Sequence, residues 1–338
     1  MELLSIDPLH PDAAAIAHAA ELLRAGRLVA FPTETVYGLG ANALDPRAVE
    51  RIYAAKGRPA YNPLIVHVAS VELVSSVATA WPERAARLAD AFWPGPLTMV
   101  LPKRSVVPDG VTAGLPSVAV RVPSHPVAHA LLAAAQIPVA APSANRSMML
   151  SPTTGRHVAR SLGDAVDLIL DAGPTTVGIE STVVDLTSEE PVLLRPGTIS
   201  LVQLEAVLGP VRRVSASNSD AARPSPGMLD RHYSPRAALF IASAAEVARQ
   251  CANVQARGQR AGALVIDAPA PAGAITTRLA RDAGEYASHL YAALHDLDDA
   301  GCDAIIVEQV PDGPAWLGVR DRLARAARSG GESGGGHP

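Results

Sequence analysis

The segment from Val29 to Val68 constrains the fold of this chain more than any other stretch. It joins two predicted strands, Leu28–Phe31 and Leu64–Val68, in the second of which His67 interrupts an apolar run. A turn rich in threonine and glycine follows the first strand, and a helix begins at Asp45 with an N1 proline. Two strands that deliver polar groups to one loop-rich end are typical of a ligand site rather than of a core.

Short apolar runs bounded by proline, serine or glycine predict further strands in the first two thirds of the chain. These runs are Leu97–Leu101, Val118–Val122, Val139–Ala141, Asp167–Leu170, Thr182–Leu186 and Val192–Leu194. Helical patterns occupy Pro11–Arg24, Pro82–Trp93, His125–Ala135 and Ser200–Leu208. Because strands outnumber helices, the spacing predicts a twisted mixed β-sheet with flanking helices over residues 1–208.

The rest of the chain predicts a linker and a second, smaller α/β domain. Residues 209–236 are rich in proline, serine and arginine, which is typical of a linker. Strand and helix patterns then alternate over residues 237–328, which predicts a Rossmann-like domain with a parallel sheet. The Gly/Ser-rich tail, residues 329–338, is predicted to be disordered.

Composition narrows the class of protein. The chain has 338 residues, a net charge of −4 and a pI near 6.2, so no global basic field attracts nucleic acid. Cys251 and Cys302 are its only cysteines, too few for a disulfide framework or a zinc cluster. Neither a signal peptide nor a membrane span is visible, and we therefore expect a cytoplasmic protein.

The most informative charges are Lys56 and Arg58. Cations at a helix C-terminus are ordinary, since the helix dipole favours them. Here the following prolines stiffen the loop, and an arginine fork beside a compact ammonium suits a polyphosphate. The pattern Gly38–Ala43 fits a dinucleotide loop only loosely, because the predicted helix begins too late.

Other polar residues occur where a strand ends or begins. Arg121 lies in an apolar strand, so its charge requires an acidic partner, a position at the edge of the sheet or an anionic ligand. His67 taken alone is more typical of a buried histidine whose hydrogen bonds are made within the core. Ser143, Asn145 and Ser151 follow a strand and fit either a polar turn with a helix cap or a phosphate-binding loop. Ser181 and Arg195 occupy comparable positions, and Glu180 is a candidate ion-pair partner for one of the arginines. Four cations near strand ends, namely Lys56, Arg58, Arg121 and Arg195, predict a nucleotide phosphate pocket.

Seven ordered motifs together resemble the YrdC-like threonylcarbamoyl-AMP synthases in their long, two-domain form. They are FPTETVYGLG, KGRPAYNPLIVHV, the S-x-N of Ser143 and Asn145, SPTT, GIESTVVD, LLRPGTIS and SPGMLDRHYSP. The resemblance is dense over residues 10–235. It implies a nucleotidyltransferase that combines L-threonine, bicarbonate or CO2, and ATP into threonylcarbamoyl-adenylate and diphosphate. Mg²⁺ is expected on the ATP phosphates without protein ligands.

The resemblance also implies roles for particular residues and partners. Lys56 and Arg58 are the expected catalytic residues. The expected ATP-binding set is Lys56, Arg58, Asn62, Ser117, Ser143, Asn145, Ser151, Arg195 and Tyr233, the last within the linker as a lid. The expected threonine-binding set is Thr35, His67, Arg121, Ala141 through its backbone, and Ser181. A separate transferase would pass the product to tRNA, with at most weak direct tRNA contact.

Some positions depart from the pattern of that family. Met148-Met149 replaces a common glycine, and Leu229-Asp230 stands where a basic residue is common before the His-Tyr pair. Two rival functions remain open at this level. One is an RNA-binding module, against which the net charge counts. The other is a carbamoyltransferase that acts on carbamoyl phosphate, whose zinc-finger and acylphosphatase segments this sequence lacks.

Overall fold

The computed structural model describes residues 1–214 and 233–327. They divide into two compact units, one comprising residues 1–147 and 151–214, the other residues 148–150 and 233–327. The predicted linker lies largely outside the described residues, at 215–232, as does the predicted tail at 329–338.

The first unit is built on one mixed sheet. Its strands are β1 (Glu2–Ser5), β2 (Val29–Pro32), β3 (Tyr37–Asn42), β4 (Ile65–His67), β5 (Leu97–Pro102), β6 (Ser117–Arg121), β7 (Val139–Ala140), β8 (Leu168–Asp171), β9 (Thr182–Asp185), β10 (Val192–Arg195) and β11 (Arg212–Arg213). They are ordered β1-β8-β2-β3-β7-β4-β6-β5-β9-β10-β11, with parallel and antiparallel neighbours interspersed. The predicted mixed sheet is therefore confirmed.

Five of the seven helices described in the first unit begin at a residue whose side chain caps the helix. They are α1 (Ala13–Arg24), α2 (Pro46–Lys56), α3 (Glu83–Phe92), α4 (Asp109–Thr112), α5 (Pro126–Ala135), α6 (Gly155–Leu162) and α7 (Leu201–Leu208), with 3₁₀ turns at Glu72–Ser76 and Gly163–Ala165. Asp45 accepts a backbone hydrogen bond at the start of α2, and Gly57 ends that helix in the left-handed conformation. Helices α1 and α5 bury Leu23 and Leu131 in one core beside β2, β7 and β8.

The second unit is a parallel sheet with helices. Its strands β12 (Ala238–Ala242), β13 (Ala261–Val265), β14 (Ile275–Arg278) and β15 (Ala304–Glu308) are ordered β12-β15-β13-β14, and all neighbours are parallel. Its helices are α8 (Val247–Gln255), α9 (Ala283–Asp299) and α10 (Leu317–Ala326), with a 3₁₀ turn at Pro314–Trp316. This confirms the Rossmann-like prediction, although β14 was not anticipated.

The predicted turn after the first strand was wrong in its glycine-rich part, which includes Gly38 and Gly40. Residues Tyr37–Asn42 form strand β3, which pairs antiparallel with β2 as a hairpin. This strand was not predicted because glycine has a low β-propensity. A Cβ on Gly40 would come within 2.8 Å of the Phe31 ring and 3.0 Å of Val139, so the glycine serves close packing rather than a dinucleotide phosphate.

Candidate functional site

The loop between β2 and β3 is fixed by its own hydroxyl group. Thr33 Oγ1 accepts hydrogen bonds from the backbone N–H groups of Thr35 and Val36 and lies 2.8 Å from Thr35 Oγ1. The carbonyls of Glu34 and Thr35 accept from the N–H groups of Val177 and Gly178. The loop therefore holds Thr35, a predicted threonine-binding residue, in a defined position.

Arg121 is buried at the end of β6 and is held on several sides. Its Nη1 donates to Thr35 Oγ1 at 2.9 Å, its Nε donates to the Gly95 carbonyl at 3.2 Å, and its Nη2 lies 2.8 Å from Glu34 Oε1. The acid that this buried arginine requires is thus Glu34, for which sequence reasoning had proposed no role.

His67 lies directly beside Arg121. Parallel pairing of β4 and β6 sets the two residues in register, so their side chains share one face of the sheet. Burial, with the nearby Arg121 cation, lowers the pKa of His67 to about 3. The imidazole is therefore neutral at physiological pH.

This neutral histidine should make the protein sensitive to acid. The unfolded chain protonates His67 below about pH 6.5 and the folded chain only near pH 3, so stability is fully present above pH 6.5 and is lost as the pH falls between these values. Relative to a His67→Leu variant, wild-type protein should lose about 3 kcal/mol of unfolding free energy between pH 7.5 and pH 4.5. Urea titrations of both proteins test this, and a constant difference would contradict it.

Lys56 ends helix α2 with a buried ammonium group. Its Nζ donates to the carbonyls of Ser143 and Asn145, each at 2.5 Å, and lies 3.5 Å from Asn145 Oδ1. Burial lowers the pKa of Lys56 well below its usual value, as does the Arg58 cation, while Glu180 opposes that shift. Lys56 therefore connects the loop of Ser143 and Asn145 to the end of helix α2, next to Arg58.

Arg58 stiffens the loop that follows. Its Nε donates to the Asn62 carbonyl at 3.0 Å and its Nη2 to the Pro63 carbonyl at 2.8 Å. Asn62 is buried, yet its side-chain Nδ2 has no hydrogen-bond partner within the described residues. A buried donor of this kind is costly unless a ligand satisfies it, which agrees with the expected ATP contact of Asn62.

Ser181 and Arg195 form a second buried cluster with a residue that sequence reasoning missed, Thr98. Arg195 Nη2 lies 3.1 Å from Ser181 Oγ, which lies 2.8 Å from Thr98 Oγ1. Strand register sets Val183 beside both Thr98 and Arg195. Thr98 was missed because a threonine in a β-pattern is unremarkable without its neighbours.

We expect a Thr98→Val substitution to lower the free energy of unfolding by about 1–2 kcal/mol. Valine keeps the shape of the side chain but leaves the buried Ser181 hydroxyl without this partner. The matched control is Thr79→Val, since the Thr79 hydroxyl is exposed and donates to the Pro102 carbonyl at 3.3 Å. Equal effects in urea titrations would show that the buried contact has no special role.

The remaining predicted residues are distributed as follows. Ser151 is buried, and its hydroxyl donates to Glu180 Oε1 at 2.5 Å. Ala141 donates its backbone N–H to the Ile65 carbonyl. Ser117 begins β6 on the face that Arg121 occupies, four residues away, which corresponds to ~13 Å along the strand.

Tyr233 belongs to the second unit. Its ring lies 6.1 Å from that of Tyr291, and the Arg322 guanidinium lies 5.2 Å from its centre. Met149 forms a bridge with Ser234 in the same unit. The expected contact of Tyr233 with ATP stays a prediction.

Within residues 1–214 and 233–327, no group of three His, Cys, Asp or Glu side chains is arranged to hold a metal ion. In the same ranges, every helix is too short or too polar to cross a bilayer.

Comparison with known proteins agrees with this architecture. A family model described as telomere recombination, covering Sua5, YciO and YrdC proteins, matches residues 21–197. A second, described as the C-terminal domain of threonylcarbamoyl-AMP synthase, matches residues 199–328. Threonylcarbamoyl-AMP synthase of Pyrococcus abyssi is 45% identical over 91% of this chain and 93% of its own length, and that of Bacillus subtilis is 43% identical over 95% of each.

A solved structure extends the likeness to three dimensions. The crystal structure of Pyrococcus abyssi Sua5 complexed with L-threonine matches with a TM-score of 0.92 and 42% identity, and the match covers 97% of this chain and 98% of that one. The fold is that of the YrdC-like class, and the matched relatives make this chain a nucleotidyltransferase-type enzyme. The chain belongs to the threonylcarbamoyl-AMP synthase family, in its long, two-domain form.

Proposed function

We propose that this protein makes L-threonylcarbamoyl-adenylate from L-threonine, bicarbonate or CO2, and ATP, with release of diphosphate and water. The observation that carries the proposal is the set of buried, oriented cations among hydroxyl groups, with Lys56 and Arg58 at one loop and Arg121 and Arg195 at strand ends. The relative that was solved with L-threonine supports the choice of amino acid.

The reaction requires two bond-forming steps. Bicarbonate takes up a proton and is dehydrated to CO2 and water. The threonine ammonium group loses two protons as its nitrogen attacks CO2 and forms the carbamate, and one of these protons balances the dehydration. A carbamate oxygen then attacks the α-phosphorus of ATP in line, and the bond to the β-phosphate oxygen breaks. Neither step uses a covalent enzyme intermediate, so positioning and charge neutralisation supply the catalysis.

The expected threonine-binding and ATP-binding residues suit the two ends of one extended molecule, in which threonine is joined to the nucleotide. Arg121 and Thr35 would hold the threonine carboxylate and its neighbours, beside the neutral His67. Lys56, Arg58 and Asn62 would face the phosphates, where donors stabilise developing charge. The ~13 Å from Ser117 to Arg121 along β6 is comparable with an amino acid joined to a nucleotide.

The buried positive charge of Lys56 also favours the binding of ATP. The desolvation that lowers the pKa of this ammonium is offset when an anionic phosphate approaches. Mg²⁺ would enter with ATP, bound through phosphate oxygens and water, and would neutralise charge on the leaving diphosphate. The product would serve a separate transferase that modifies tRNAs reading codons that begin with A.

An RNA-binding module is the second candidate, and the net charge of −4 still argues against it. One experiment separates the two functions. Purified protein is incubated with ATP, threonine and ¹⁴C-bicarbonate, and the nucleotides are separated chromatographically. A labelled adenylate that requires threonine supports the synthase, whereas tRNA binding without labelled product or diphosphate release contradicts it.

A further inference from the structure

Glu34 is the centre of the buried hydrogen-bond system around the β2–β3 loop. The residue is only 5% exposed. Its Oε2 accepts a hydrogen bond from the backbone N–H of Ser124 at 3.2 Å, whereas its Oε1 lies 2.8 Å from Arg121 Nη2 in an ion pair that lacks hydrogen-bond geometry. Its backbone carbonyl accepts from Val177 at 2.7 Å. These contacts hold the carboxylate beside the Arg121 guanidinium group.

Arg121 has more donors than protein partners. A guanidinium group carries five N–H donors, whereas in the described part of the chain Arg121 contacts Gly95, Thr35 and Glu34 through one nitrogen each. Only the contacts with Gly95 and Thr35 have hydrogen-bond geometry, so at least two of the five N–H groups remain for a ligand. A planar fork with two available donors matches a carboxylate, which accepts both in parallel.

We infer that Glu34 is a positioning residue that orients Arg121 for the carboxylate of the amino-acid substrate. The inference rests on the proposed function, in which Arg121 holds threonine, and it adds the residue that sets the affinity for that carboxylate. Glu34 acts through Arg121 and does not touch the substrate. The anionic Glu34 also allows an arginine to remain charged and buried before the substrate arrives.

A rival role for the same contact gives the opposite expectation. If Glu34 competed with the substrate carboxylate for Arg121, neutralising Glu34 would strengthen threonine binding. The Oε2 contact with Ser124 favours positioning, because it ties the carboxylate to the backbone just beyond β6. A competitor would have to be displaced from that anchor.

Isothermal titration with two ligands tests this inference. L-Threonine is compared with L-threoninol, which has a CH2OH group in place of the carboxylate, so the ratio of their dissociation constants reports recognition of the carboxylate alone. Wild-type protein, Glu34→Gln and Glu34→Asp are titrated. The matched control is Glu308→Gln, because Glu308 is also a buried carboxylate that accepts backbone N–H bonds, in the second unit.

We expect the ratio of the threoninol dissociation constant to the threonine dissociation constant to fall roughly tenfold or more in Glu34→Gln. This is the effect of losing one hydrogen bond to a charged group. Glu34→Asp keeps the charge but shortens the side chain, so it should fold and still lower the ratio. Glu308→Gln should keep the wild-type ratio even if its melting temperature falls.

An unchanged ratio in folded Glu34→Asp or Glu34→Gln, or tighter threonine binding in either, would overturn the inference. A fall of the same size in Glu308→Gln would also overturn it, since the effect would then be a general loss of stability. Failure of wild-type protein to bind threonine is a different result, which refutes the proposed function and the inference together.

Discussion

Replacing Lys56 by glutamine should reduce threonine-dependent diphosphate release at least ~100-fold while the protein remains folded. The loss follows from the removal of a positioned cation, since deleting one donor that stabilises developing charge in a dry site typically costs about 10²–10³ in rate. Initial rates of diphosphate release, measured with saturating ATP and threonine, give the result.

The fold should survive because two effects oppose each other. Glutamine leaves the carbonyls of Ser143 and Asn145 with weaker partners, which costs ~1–3 kcal/mol for each group left unsatisfied. It also removes the cost of burying a charge, the same burial that lowers the pKa of Lys56. A thermal melt should therefore show a shift of a few degrees rather than collapse.

The sequence provides a matched control for this substitution. Lys56 and Lys103 are the only lysines in the chain. The ammonium of Lys103 pairs at 2.5 Å with the exposed Asp109 carboxylate, where an ion pair contributes little. Lys103→Gln should keep near-native turnover. Full activity in Lys56→Gln would show that Lys56 is a structural residue and that the phosphate assignment is incorrect.

Arg121→Gln should abolish threonine-dependent turnover and destabilise the protein by about 3–5 kcal/mol. The stability loss arises because Glu34 would remain buried without its counter-ion. Activity should fall because glutamine cannot present a charged fork to a carboxylate. Urea titration and the labelled-adenylate assay measure the two effects separately.

A double variant separates the structural role of this pair from its function. Glu34→Gln combined with Arg121→Gln replaces two charges by two amides, so part of the lost stability should return while activity stays absent. The control is Arg51→Gln. Arg51 forms a partly exposed ion pair with Asp167 at 2.8 Å, which should contribute at most about 1 kcal/mol to the free energy of unfolding. Recovery of activity in the double variant would contradict a substrate role for Arg121.

The local sequence pattern was sufficient to predict most of the strands and helices. Runs such as Val118–Val122 and capped starts such as Asp45-Pro46 predicted β6 and α2 within a residue or two, because side-chain period and capping act over a few neighbouring residues. The same rules failed at β3, where Gly38 and Gly40 remove the β-branched signal, and at β14, a short edge strand.

The predicted site residues stay a prediction as a set, and the contacts between them could not be predicted from the sequence. The predicted cations and hydroxyl groups came from motifs, yet Glu34 and Thr98 had no signal of their own. Glu34 meets Arg121 across 87 positions of sequence, and Thr98 meets Ser181 across 83. Such contacts depend on which strands become neighbours, and no local propensity encodes that.

By itself, then, the sequence determined the α/β class with a second, parallel-sheet domain, and it predicted cations and hydroxyl groups of the kind that a phosphate-binding protein needs. The tertiary structure alone decided that Glu34 neutralises Arg121, that backbone carbonyls hold the ammonium of Lys56, and that His67 stays uncharged. The physical reason is that periodicity is a property of neighbouring residues, whereas burial and charge pairing are properties of the packed sheet.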